Sequence, residues 1–78
     1  MKKIINNNVE VTGYCWITGR DGIGVVLAID TISNESKAYI GTYDNRDEYE
    51  SILHILSWGT KFDVDIAKQL IDKYGTKI

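Results

Sequence analysis

The segment Ile23-Gly24-Val25-Val26-Leu27-Ala28-Ile29-Asp30 constrains the fold more than any other part of the chain. Read with a period of two, Ile23, Val25, Leu27 and Ile29 fall on one side, and Gly24, Val26, Ala28 and Asp30 on the other. Both sides are largely apolar, as in a strand at the middle of a sheet that is covered twice. With 78 residues there is room for one small domain, spanning 1–78, and the covering must come from the segments on either side.

Those segments read as two more strands and two helices. Residues 9–18 alternate, with Val9, Val11, Cys15 and Ile17 on one side and Glu10, Thr12, Tyr14, Trp16 and Thr18 on the other. Thr18-Gly19-Arg20-Asp21-Gly22 supplies a turn, and Ser33-Asn34-Glu35 lies in a polar hairpin loop over 31–36. A third strand over 37–43 points Ala38 and Ile40 one way and Tyr39 and Tyr43 the other. Asn45 with Glu48 has capping-box spacing, and Tyr49, Ile52, Leu53 and Leu56 follow as a helical stripe that Gly59 ends. Asp63 caps a second helix with a stripe of Val64, Ala67, Leu70, Ile71 and Tyr74, ended by Gly75. The expected fold class is α+β: a three-stranded antiparallel β-meander followed by two α-helices packed on one sheet face, in the order βββαα.

That arrangement leaves one face over. The helices match the aliphatic set Val9, Val11, Ile17, Ile23, Val25, Leu27, Ile29 and Ile40, so Tyr14, Trp16, Val26, Ala28, Tyr39 and Tyr43 would face water. So large an apolar patch marks an interface or a ligand groove. The alternatives are that residues 2–8 fold back over it, or that the register is inverted with the aromatics inside. A small core without cross-links and a bare sheet face together lead to the expectation of a homodimer or higher homo-oligomer.

Composition excludes several function classes. One histidine and one cysteine leave no His-rich or multi-cysteine metal site and no internal disulfide framework. A net charge of −2 argues against direct nucleic-acid binding. The opening Met1-Lys2-Lys3-Ile4-Ile5 stops at Asn6-Asn7-Asn8, too soon for a signal peptide, and no stretch is long enough to span a membrane. A cytoplasmic protein with no membrane partner is expected.

Motifs for chemistry are few. In Thr18-Gly19-Arg20-Asp21-Gly22-Ile23-Gly24 a strand follows the glycines where a dinucleotide fold needs a helix, and the Gly-Lys-Ser/Thr of a Walker loop is absent. The segment reads as a hairpin turn, although Arg20 beside exposed backbone N–H groups suits an anion. His54 lies beside its helical stripe with no nucleophile or acid at a catalytic spacing, and Cys15 reads as a small buried hydrophobe. Six acidic residues in 44–65 face only Arg46 and Lys61, which reads as helix-start and solvated charge or, alternatively, as an acidic docking face. Trp58 either packs the corner between the helices or stacks on a planar ligand at the rim. No enzyme activity, no cofactor and no metal are expected.

The pattern Tyr14-x-x-x-Thr18-Gly19, Ile23-Gly24-x-Val26, Lys37-Ala38-Tyr39-Ile40-Gly41 and Trp58-Gly59-Thr60-Lys61-Phe62 resembles small proteins encoded by bacteriophages. The resemblance implies an accessory, anti-defence protein acting in the host cytoplasm, and carries no site residues with it. Such proteins include sponges that sequester nucleotide-type immune signals and inhibitors, anti-CRISPR proteins among them, that block a host defence protein by contact. Sequestration ranks first on the residues available: Tyr14, Trp16, Tyr39, Tyr43 and Trp58 to stack on a base, with Arg20, Arg46 and Lys61 for phosphates. Inhibition of a host protein through the aromatic and acidic surface is the alternative.

Overall fold

The computed structural model describes residues 4–17, 22–43 and 47–78. Its elements are β1 (Ile5–Asn6), β2 (Val9–Ile17), β3 (Ile23–Asp30), β4 (Ser36–Thr42), α1 (Glu48–Trp58), β5 (Thr60–Phe62), α2 (Val64–Tyr74) and β6 (Thr76–Lys77). Among the described residues the strands form one six-stranded sheet in the order β1-β2-β3-β4-β5, with β6 also on β2 and every pairing antiparallel. The expected meander is its centre, β2-β3-β4. Three short strands widen it beyond the three expected.

Each short strand has a local cause. Asn7 and Asn8 adopt φ of 49° and 65°, the left-handed pair of a two-residue hairpin, so the asparagine tract folds β1 back onto β2. The N–H of Val11 donates to the Ile4 carbonyl at 2.9 Å, and Ile4 is fully buried. β6 follows α2 directly and pairs with β2 at Gly13 and Tyr14. β5 carries the chain from one helix to the other along the far edge of the sheet, opposite Ala38, Tyr39 and Ile40 of β4.

The two helices do not share a face, which corrects the expected packing. Ile52 and Ile55 of α1 pack with Ile4, Val11, Tyr14 and Val26, flanked by Trp16, Tyr39 and Tyr43. Ala67 of α2 packs with Val25 and Ala38, flanked by Ile17, Leu27, Ile40, Phe62, Val64 and Leu70. Val25 and Val26 are both 0% exposed, so the two-sided character of β3 is met by one helix on each side. The aromatic face is therefore closed, by α1 and by Ile4 of the folded-back N-terminal segment.

β2 carries a bulge. The β2–β3 register shifts between Val11 and Gly13, which turns Val11 to the aromatic side while Cys15 and Ile17 stay on the other. The alternation of residues 9–17 is thus two half-strands out of phase. The helix stripes also rotate: Tyr49 and Tyr74, expected inside, are 51% and 68% exposed, and Ile55 is buried. α1 is capped by Asp47, whose side chain accepts from the Tyr49 N–H at 3.1 Å, and the expected cap Asn45 lies outside the described residues. Asp63 caps α2 as expected, accepting from the Ile66 N–H at 3.0 Å. Gly59 ends α1 with extended backbone (φ −73°), and a Cβ there would lie 2.4 Å from the Ile55 carbonyl oxygen. Crowding, and not a left-handed turn, selects that glycine.

Candidate functional site

The residues singled out from the sequence fall into three places. Tyr14, Trp16 and Tyr43 come together: the Tyr14 and Trp16 ring centroids lie 5.3 Å apart, and those of Trp16 and Tyr43 4.5 Å apart, both pairs tilted. Tyr39 packs against the same cluster. Gly24, opposite Trp16 in the ladder, makes room for the indole, because a Cβ there would stand 2.4 Å from a ring carbon. Glu48, the first residue of α1, accepts from the Trp16 indole N–H at 3.3 Å and hydrogen bonds with Tyr14. Burial first, and then this carboxylate, hold the Tyr14 phenol above its ordinary pKa, while a hydrogen bond with Thr76 acts the other way.

These contacts make the aromatic row part of the core. Tyr14 is 4% exposed, so it cannot offer a ring face to a ligand. Trp16, Tyr39 and Tyr43 are half-buried beneath α1. The expected open stacking platform is corrected accordingly: most of its area is spent on holding the helix. The acid that anchors this row, Glu48, was legible only as a helix-start residue, since its partners are more than 30 residues away in sequence.

The second place is the β4–β5 end of the sheet. Tyr39 stands opposite Lys61 in the ladder. Both line a groove of about 230 Å³ with Lys37, Phe62 and Val64 among its walls. Lys37 pairs with Asp30 at 3.4 Å, and Lys61 is exposed with no ion pair among the described residues. Phe62 has no signal in the sequence, because β5 is three residues long and shows no period, and Lys37 of β4 lies one residue before the stretch that pairs with β5.

The third place is Trp58, 80% exposed at the last turn of α1. It does not pack the corner between the helices. Arg20 and Arg46 lie outside the described residues.

Two other features carry chemistry-bearing groups. His54, Glu50 and Ser51 of α1 line a polar groove of about 280 Å³ with Thr42 and Tyr43. Cys15 is buried, and burial raises its thiol pKa, which disfavours the nucleophilic thiolate. Among the described residues no three His, Cys, Asp or Glu gather as metal ligands. No described helix is long and apolar enough to cross a membrane. No protein-family model, curated protein or solved structure matches the chain.

Proposed function

We propose that the chain is a non-catalytic binding protein that acts by contact with a host protein. The observation that carries this reading is the contrast in exposure: Tyr14 is 4% exposed and Trp58 80%. The face beneath α1 offers a free base little to stack on beyond Trp16, which lines a groove of about 430 Å³ with Tyr74. A tryptophan held out beside a sheet edge suits the centre of a protein interface, where tryptophan is enriched. With the phage-like character of the sequence, the role that fits is inhibition of a host defence component.

Sequestration of a nucleotide-type signal is the second reading. The groove of about 230 Å³ supports it, because Tyr39 and Phe62 line it together with Lys37 and Lys61. Of the two grounds for self-association, the bare sheet face is met by α1, and the small core without cross-links is the one that remains.

Two measurements separate the readings. Calorimetry against cyclic dinucleotides, cyclic trinucleotides and cyclic ADP-ribose isomers should show no heat of binding. Host proteins retained on the immobilised chain should be lost from the Trp58→Ala variant, and one of them, purified, should bind the wild-type chain directly. Tight binding of a nucleotide that is abolished in Lys61→Ala, with no Trp58-dependent protein partner, would reverse the choice.

A further inference from the structure

We propose that the outer side of β5 receives an extended segment of a partner protein as an added strand, with an acidic side chain of that segment set against Lys61. The proposal rests on the protein-contact reading above and names the place and chemistry of the contact.

Both edges of the sheet leave main chain uncovered. On the outer side of β2, β1 pairs with Val9 and Glu10 and β6 with Gly13 and Tyr14, and no described strand lies outside Cys15, Trp16 and Ile17. No described strand lies beyond β5, so its outer main-chain groups are open to pairing. Strand addition to such an edge draws its affinity from main-chain hydrogen bonds and its specificity from pockets for alternate side chains. Trp58, 80% exposed, stands two residues before β5, and beside β5 lies a groove of about 230 Å³ that has Lys61, Phe62 and Val64 in its wall and that Glu35 and the β4 residues Ser36, Lys37, Ala38 and Tyr39 also line.

Charge decides what kind of strand fits. Lys61 is the middle residue of β5 and has no ion pair among the described residues, whereas Lys37 in the same groove already holds Asp30. A second copy paired antiparallel about the centre of β5 would set Lys61 against Lys61, and like charges directly opposite are destabilising. An acidic residue in the opposing position turns the same juxtaposition favourable. The occupant is therefore a different chain that presents an acid within an otherwise β-prone segment.

The test uses the full isotope-labelled chain and two synthetic heptapeptides of alternating threonine and valine, one with a central glutamate and one with a central lysine. The glutamate peptide should shift the backbone amides of Thr60, Lys61 and Phe62 and the Trp58 indole resonance. The lysine peptide should bind about fivefold more weakly, in line with the size of cross-strand charge pairs. Lys61→Glu should reverse that order, and because Lys61 is exposed the variant should keep the dispersed spectrum of the folded chain. Equal binding of the two peptides, shifts centred on Cys15, Trp16 and Ile17 at the other edge, or no shift with either peptide would each overturn the proposal. A purified host protein whose binding is lost in Trp58→Ala but unchanged in Lys61→Glu would also overturn it, while leaving the protein-contact reading intact.

Discussion

The two tryptophans divide the molecule into a region that has used its aromatic surface and one that has not. Trp16 lies on Gly24, touches Tyr14 and Tyr43, and gives its N–H to Glu48. Trp58, at the other end of α1, is 80% exposed. One helix thus begins by closing an aromatic face and ends by holding an aromatic side chain out. The difference teaches that aromatic content alone does not mark a binding surface. An aromatic becomes available only where no element has already been laid across it. The closed face should govern stability and the β5 edge should govern contact, and the two should be separable by mutation.

The largest effect is expected beneath α1. Ile55 is 0% exposed and packs with Tyr14, Val26 and Ile52. Ile55→Ala should cost about 2–5 kcal/mol in urea unfolding, the range for truncating a buried aliphatic side chain. A domain of this size has a total stability of only about 4–12 kcal/mol, so partial unfolding at 37 °C is the expected outcome. A loss below about 1 kcal/mol would mean that α1 is not the cover of this face.

Gly24→Ala comes next. The added methyl meets the Trp16 ring and Ile55, and overpacking of this kind costs about 1–3 kcal/mol. The near-ultraviolet circular dichroism of Trp16 should change with it. In a Trp16→Ala background most of that penalty should vanish, because the clashing ring is gone. An additive double mutant would break the account of Gly24 as the floor beneath the indole.

Much of this architecture could be read in advance, for reasons that also explain the failures. Val25 and Val26, adjacent and apolar, announced a strand covered on both sides, and both are fully buried. Yet a helical stripe says only that a helix is buried and not against which face, and the aliphatic side of the strands suits both helices equally well in the sequence. What sends them apart is β5, whose three residues are too few to show a period. The bulge between Val11 and Gly13 was hidden for a similar reason, since apolar residues on both sides of it preserve an apparent alternation. At the candidate site, Lys61 and Tyr39 were visible as residue types. Their alignment, and the roles of Lys37, Phe62 and Glu48, depend on contacts distant in sequence.

Removing the Glu48 anchor should have a smaller effect. Glu48→Gln weakens the bonds to Trp16 and Tyr14 and should cost about 1 kcal/mol. Alkaline titration checks the same region. Folding holds the Cys15 thiol above its ordinary 9.0 and the Tyr14 phenol above its ordinary 10.0. The folded state therefore keeps both protons longer than the unfolded chain does. Their contribution is complete below about pH 9 and is lost as pH rises through the folded-state values. Tyr14→Phe should remove the later part of that loss, and Cys15→Ala the earlier part. A stability profile flat to pH 11 in the wild-type chain would contradict the burial of both groups.

The smallest effect, and the one that sharpens the comparison most, is expected at Trp58. Its side chain is 80% exposed, so Trp58→Ala removes little buried area and should change stability by less than about 0.5 kcal/mol. Its solvent access can be measured independently of stability. In a Trp16→Phe variant only Trp58 emits as tryptophan, and acrylamide should quench that emission efficiently. In the Trp58→Ala variant the remaining Trp16 emission should be shielded and blue-shifted until the chain unfolds. If Trp58→Ala instead cost more than about 1 kcal/mol, Trp58 would be a packed residue like Trp16. The contrast between a closed face and an open edge would then collapse. A near-neutral change in stability together with loss of partner binding would place the two properties on opposite ends of α1.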